Sequence, residues 1–374
     1  MKVTIERDRM SKAVNAVAKV ISSRPVREIM GGIHLVANED VLELGATDGA
    51  VDIMERVSCR VDEPGEVVIE GKKLTEICRS MPVGEIVIHA DDSKPNVIVR
   101  SKNGSKFTLA KMNGDFPDRE ALGESTGVTV TISGYALREA LNTVKYAAAI
   151  DQTRPVLTGV LMEVKPDDKL QAVALDGFRL ALCQKECEVS GVTGEVAKLI
   201  LPISAVNAVI NECQTDDDIT ITTDGKSAKF TMYGGEIVTT LLAGEYIDYR
   251  KIITRDWKCS SRFETSAAVE ALKRASIVAN SGKNHLVRLT FRDGGMLMES
   301  NSHVDSFSEE VPCQHSGEEM RTAYNTRYFL ETLTATNAEE VQLDLTSELA
   351  PGVVRMTNGQ REVHVILPVR VANE

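Results

Sequence analysis

The chain writes one pattern three times, and that repetition limits the folds open to it more than any other feature. Residues 3–20, VTIERDRMSKAVNAVAKV, and 130–147, VTISGYALREALNTVKYA, each set a short alternating strand before a helix-period stripe. Met10, Val14, Val17 and Ile21 share one helical face in the first copy; Leu137, Leu141, Val144 and Ala148 do so in the second. SRFETSAAVEALKRASIVAN, at 261–280, is a fainter third opening. After each helix comes a pair of strands: GGIHLVANEDVLELGATDG, TGVLMEVKPDDKLQAVALDG and VRLTFRDGGMLMESNS. A strand then leads into a second helix, as VVIEGKKLTEICRSMP, KLILPISAVNAVINEC and RTAYNTRYFLETLTAT, and each copy closes on further strands. The unit reads β-α-ββ-β-α-βββ, an α+β module of roughly 125 residues, too long for a solenoid repeat and right for a duplicated domain. The expected modules are 1–124, 125–254 and 255–374.

The same bookkeeping explains a phrase that occurs twice. LGATDGAVDI at 44–53 and AVALDGFRLAL at 172–182 mark one corner of the module, so Asp48 and Asp176 correspond. Asp-Gly between apolar runs reads as a tight turn. The sharper alternative is a carboxylate pair for acid–base or metal work, which would make the chain a hydrolase. No phosphate-cradling glycine loop, HExxH or GxSxG accompanies them.

Composition closes off other classes. Hydrophobic residues make up 43% and charged residues 26%, ordinary for a globular protein, and no apolar run is long enough to span a bilayer. The opening MKVTIERDRM has no signal-peptide core, which places the chain in the cytoplasm. Seven scattered cysteines form neither a disulfide framework nor a zinc pattern, so no metal and no cofactor are expected. The net charge of −12 argues against a uniformly basic nucleic-acid coat, although a surface basic on one side only still attracts phosphate. Lys12, Asn15 and Lys19 lie opposite the apolar stripe of the first helix, and Arg138, Asn142 and Lys145 repeat that spacing in the second module. Lys72, Lys73 and Arg79 sit on GKKLTEICR, and Lys273 and Arg274 on the third module's first helix; ISAVNAVINE carries no basic residue.

The three-module pattern, with RPVLTGV at 154–160, LDGFRLA at 175–181, YIDYRKI at 246–252 and VILPVR at 365–370, resembles the bacterial DNA polymerase III beta subunit, the sliding clamp family. The resemblance covers essentially the whole chain. It implies a homodimer, closed head to tail into a six-domain ring around duplex DNA, with helices lining the hole. It further implies non-enzymatic work: conferring processivity on the replicative polymerase through non-specific, salt-dependent phosphate contacts. The DNA-facing set would be Lys12, Lys19, Arg24, Lys72, Lys73, Arg138, Lys145, Arg154, Lys273 and Arg274.

The family also holds short peptides of its partners in a groove: the DNA polymerase III alpha subunit, the clamp loader and other proteins with a clamp-binding motif. Carried over by position, this groove comprises Leu157, Leu175, Gly177, Phe178, Arg179, Leu180, Ile247, Lys251 and Ile252. Its last wall is Val365, Ile366, Leu367, Pro368, Val369 and Arg370. Aliphatic walls suit Leu or Phe anchors, and Arg179 is placed to orient backbone or carboxylate groups. Leu175 stands where threonine is usual, Phe178 where histidine is common, and the chain runs on through Ala372–Glu374. These departures leave open a divergent clamp-like relative with other partners. For the dimer contact, the family's pattern matches Phe107 to Ile277 and Val278, with Lys102 and Lys106 facing Asp305, Glu309 and Glu310.

Overall fold

The computed structural model describes residues 1–118, 123, 127–191, 196–254, 256–281, 285–359 and 361–370. Residues 124, 125 and 255, on which the expected boundaries fall, and the tail Ala372–Glu374 lie outside the described residues. The first repeat runs β1 (Lys2–Glu6), α1 (Arg7–Val17), β2 (Gly32–Asn38), β3 (Val41–Thr47), β4 (Val51–Ser58), β5 (Arg60–Glu63), β6 (Gly65–Glu70), α2 (Gly71–Ser80), β7 (Glu85–Ala90), β8 (Asn96–Ser101) and β9 (Lys106–Ala110). The second follows the same order. It has β10 (Thr129–Ser133), α3 (Gly134–Val144), β11 (Gly159–Lys165), β12 (Lys169–Leu175), β13 (Arg179–Glu186), β14 (Glu188–Ser190), β15 (Ala197–Pro202), α4 (Ile203–Glu212), β16 (Asp218–Thr223), β17 (Ser227–Met232) and β18 (Gly235–Thr240). The third has β19 (Cys259–Glu264), α5 (Thr265–Ala279), β20 (Leu286–Arg292), β21 (Gly295–Asn301), β22 (Ser306–Pro312), β23 (Gln314–Gly317), β24 (Met320–Asn325), α6 (Thr326–Ala335), β25 (Glu340–Leu345), β26 (Gly352–Met356) and β27 (Glu362–Ile366).

The α+β repeat is as expected, with two more strands per copy than the pattern predicts. The first extra strand follows the Asp-Gly corner as β4 and β13, and in the third repeat follows Ser302–Asp305 as β22. The second is a short edge strand, β5, β14 and β23. Such edge strands are too brief to leave a period-2 signature. The corner itself is an Asx turn. Asp48 Oδ1 accepts from the N–H groups of Ala50 (2.9 Å) and Val51 (2.8 Å), and Asp176 Oδ1 from those of Phe178 (2.9 Å) and Arg179 (3.0 Å). Asp224 repeats it on Lys226 and Ser227. Gly49 and Gly177, at φ 93° and 91°, take the left-handed conformation that closes such a turn without Cβ strain. The acid–base reading of Asp48 and Asp176 gives way to this one: each carboxylate is a turn former.

The strands form four antiparallel sheets. Two are confined to one repeat each: β5-β1-β7-β8-β9 and β22-β21-β20-β24. The other two cross a repeat boundary: β14-β10-β16-β17-β18-β4-β3-β2-β6 and β15-β11-β12-β13-β27-β26-β25-β19-β23. Those crossings are β18 on β4, with Ile237 opposite Ile53, and β27 on β13, with Val365 opposite Leu180. The chain accordingly packs as two compact units: Met1–Tyr135 with Cys187–Gly194 and Ser204–Leu241, and Ala136–Glu186 with Glu195–Ile203 and Leu242–Glu374.

Within the first unit α1 buries Met10, Ala13, Val14 and Val17 against the sheets and packs beside α2. At 10 or 11 residues these helices are too short to persist alone, so the buried stripe supplies their stability. In the second unit α5 and α6 cover a core of Phe263, Leu272, Leu289, Phe291, Tyr324, Phe329 and Leu333. No helix among the described residues is long and apolar enough to cross a membrane.

Candidate functional site

The corner after Asp176 is built by side chains that reach it from three directions. Leu157, Leu175, Leu180 and Val365 are buried in one cluster with Tyr249, and Ile247 and Ile252 pack against it half-buried. These are the groove residues expected from sequence, and the fold brings them together. The Leu367 N–H donates to the Phe178 carbonyl (2.9 Å) and the Val369 N–H to that of Ala323 (2.8 Å), which lays the terminal segment along the same wall. Ile366 belongs instead to the core beneath α5 and α6. Gly177 and Arg370 are exposed and Pro368 is half-buried. Lys251 is exposed and pairs with Asp248 at 3.0 Å.

Phe178 is 57% exposed, and its ring stacks on Tyr328 with centroids 5.7 Å apart. Arg179 points the other way. It is buried, with Nε on Asp176 Oδ2 (3.0 Å), Nη1 on Glu331 and Nη2 on the Tyr146 carbonyl (2.7 Å). Its guanidinium also lies over the rings of Tyr328 (4.6 Å) and Tyr146 (5.0 Å). The geometry thus gives Arg179 a different task from the one expected: it clamps the turn that presents Phe178. Behind it the hydroxyl of half-buried Tyr146 lies 2.9 Å from Nδ1 of buried His364, whose Nε2 is 2.7 Å from the buried Glu362 carboxylate. Sequence reasoning missed Tyr328 and Tyr146. Their only signal is an aromatic at a helix-face position, which core packing explains equally well.

The basic residues are divided between the two units, Lys12, Lys19, Arg24, Lys72 and Lys73 in the first and Arg138, Lys145, Arg154, Lys273 and Arg274 in the second. Lys12, Arg24, Lys72 and Arg154 are exposed, and Arg138 and Lys145 half-buried. Ser22, Ser23 and Pro25, which flank Arg24, line a cavity of about 810 Å³ with Lys72, Lys73 and Arg79. Arg79 donates to Asn15 Oδ1 (2.6 and 3.1 Å), tying α2 to α1. Several cations already hold carboxylates: Lys19 pairs with Glu212 (3.1 Å), Lys73 with Glu70, Lys273 with Glu270 (2.7 Å), and Arg274 with both oxygens of Glu309 (2.7 and 2.6 Å). Exposed pairs of this kind contribute little and yield readily to a competing phosphate.

Beside Lys12 and Lys19, burial raises the Glu55 carboxyl from 4.5 to about 7; repulsion from Glu212 adds to this, and the two lysines oppose it. A folded-state pKa above the unfolded one means stability fully present below about pH 4.5 and lost as pH rises through about 7. Glu55→Gln is therefore expected to stabilise the protein at about pH 8 by up to about 3 kcal/mol and to change little near pH 4.5, read by urea melts at both pH values. Equal effects at the two would refute it.

Phe107 lies partly exposed on the edge strand β9, Ile277 is 72% exposed on the last turns of α5, and Val278 is half-buried. The ion pairs expected between Lys102 and Lys106 and Asp305, Glu309 and Glu310 meet competition: Lys102 holds Glu85, Glu309 holds Arg274, and Glu310 holds Arg292 (3.0 Å).

Family models match the chain in three pieces: the DNA polymerase III beta subunit N-terminal domain at residues 1–119, central domain at 131–248 and C-terminal domain at 250–370. A beta sliding clamp of Micrococcus luteus is 30% identical over 319 residues, 84% of this chain and 99% of that one. One of Streptomyces coelicolor is 27% identical over the full length of both. The crystal structure of a DNA polymerase sliding clamp from Bacillus subtilis superposes with a TM-score of 0.91 at 25% identity, covering all of both chains.

Proposed function

The chain belongs to the DNA polymerase III beta-subunit family, and from that membership we propose how it works as a sliding clamp in the cytoplasm. Two copies close head to tail around duplex DNA and hold the replicative polymerase there without catalysing a reaction. One observation carries the closure. At both repeat boundaries the last strand of one module pairs with the strand after the Asp-Gly corner of the module before it, as β18 on β4 and β27 on β13. Two members of that set have no such neighbour among the described residues: β9, the last strand of the first module, and β22, the corner strand of the third. A second copy supplies each with its counterpart. Two identical seams then complete a closed cycle of six modules through a heterologous contact. Phe107 lies on one of these edges, and Ile277 and Val278 on the helix that packs against the other.

Retention is then topological, so weak phosphate contacts favour sliding. Lys12, Lys19, Arg24, Lys72, Lys73, Arg138, Lys145, Arg154, Lys273 and Arg274 supply these without base readout. The groove around Phe178 and Leu367 receives the Leu- or Phe-bearing peptides of the polymerase alpha subunit, the loader and other partners.

The test is retention on a nicked circular duplex. Complexes are expected to survive gel filtration on the circle and to be lost when it is linearised; equal retention on both forms overturns the reading. Replacing Lys12, Arg24, Lys72 and Arg154 together with Ala removes eight cations from the two-copy ring and is expected to lower the slope of log affinity against log salt by up to about seven, since each lost phosphate contact is worth about 0.9. An unchanged slope would remove these side chains from the DNA face.

A further inference from the structure

The three repeats treat the outer face of one sheet differently. After its last strand each repeat returns to an edge strand by one hydrogen bond: Met112 N–H to the Val68 carbonyl (3.0 Å), Leu242 to Ile200 (2.9 Å) and Val369 to Ala323 (2.8 Å). The residues opposite these acceptors, His34, Leu161 and Arg288, occupy equivalent places on β2, β11 and β20. In the first repeat the chain turns at Gly114 (φ 110°) and seats Phe116 over His34, with ring centroids 5.0 Å apart. In the second it turns at Gly244 (φ 130°), and Tyr246, Ile247 and Tyr249 cover the sheet; Tyr249 donates to Glu163 at 2.7 Å. Strand β11 is buried on both faces, whereas β2 and β20 alternate between buried and half-exposed residues.

In the third repeat the same face carries a cavity of about 720 Å³, lined by Arg288, Thr290, Leu297, Arg321, Leu349 and Val369. Counting on from Val369, the sequence has Val371 where the first two repeats turn at glycine, and Asn373 where they place Phe116 and Tyr246. The repeat thus has the seat but not the aromatic residue that fills it elsewhere. Val369 is also part of the candidate groove wall, so the seat continues that groove.

We propose that this seat receives an aromatic side chain, tyrosine best, from the flank of a peptide docked in the groove. The ring lies over the Arg288 guanidinium as Phe116 lies tilted over His34, with Leu297 beneath it and the Thr290 hydroxyl beside it. The assignment rests on the groove reading above and adds a specificity-determining extension to it.

Fluorescence anisotropy with three labelled peptides tests it: a Leu/Phe anchor sequence alone, the anchor with a flexible linker and one tyrosine at each end, and the same with alanine. The tyrosine form is expected to bind about fivefold tighter than the alanine form. Arg288→Ala and Leu297→Glu should each bring that ratio close to one while the anchor alone binds as before, which also certifies their folding. A ratio near one in the unaltered protein, or a ratio that survives both substitutions, overturns the proposal. Failure of the anchor alone to bind strikes the groove reading. The two extended peptides then still decide the seat: an Arg288-dependent tyrosine preference upholds it, and no binding overturns it. Removing Ala372–Glu374 should leave the ratio unchanged; a rise would make the chain's own tail the occupant and overturn the partner assignment.

Discussion

Ile277→Asp is expected to convert the dimer to monomers at micromolar concentration with the monomer's fold intact. The side chain is 72% exposed in the single chain, so the charge costs nothing until the seam closes over it. There an unpaired carboxylate facing Phe107 costs about 3 kcal/mol or more. A closed dimer has two seams, so the loss counts twice and the dissociation constant rises about ten-thousandfold. Phe107→Asp attacks the same seam from the other side and should behave alike. Mixing the two variants is the sharper measurement. A head-to-tail pair then keeps one wild-type seam, so sedimentation should recover an open dimer that neither variant forms alone. Dimers of Ile277→Asp at micromolar concentration, or no recovery on mixing, would overturn the assignment.

Deleting residues 367–374 should abolish binding of a Leu/Phe anchor peptide, a loss of at least about a hundredfold, and leave the dimer standing. The deletion removes the Leu367 bond to Phe178 and the Val369 bond to Ala323, and with them one wall of the groove. It stops short of Ile366, where β27 ends, and leaves both β9 and β22 intact. Removing only Ala372–Glu374 should leave anchor binding unchanged. Anisotropy reads the peptide and sedimentation the assembly. Undiminished binding by the longer deletion would sink the groove; loss of the dimer would assign the segment a structural task.

The repeat was legible because its signals are local: strand alternation, helix stripes, and an Asp-Gly turn whose carboxylate bonds its own backbone. The strands β4, β13 and β22 were not read from the pattern, since AVDIMERVS mixes apolar and charged residues in an order that only its neighbouring strands explain. Groove membership came from family resemblance alone; the fold adds that Leu157, Leu180 and Val365 lie in one buried cluster. The direction of Arg179 was not, because it depends on Glu331 and Tyr146, 152 and 33 residues away in sequence. Lys19, Lys73, Lys273 and Arg274 read as a basic face; Glu70 and Glu270 stand three residues before their lysines, but the partners of Lys19 and Arg274 became visible only in three dimensions. No stripe pattern reports a pair such as Arg274 with Glu309.

The sheets that run across the repeat boundaries make the sequence period and the divisible unit two different things. A fragment cut after the first repeat would carry β4 with its partner β18 stripped away; one cut after the second would carry β13 without β27. Each leaves a naked ladder of main-chain donors and acceptors, the kind of edge that recruits strangers. The triplication therefore records how the chain was composed and gives no licence to dissect it. In the ring proposed above, the seams at β9 and β22 are the ones that part without unfolding either chain, so whatever opens it need work against those alone.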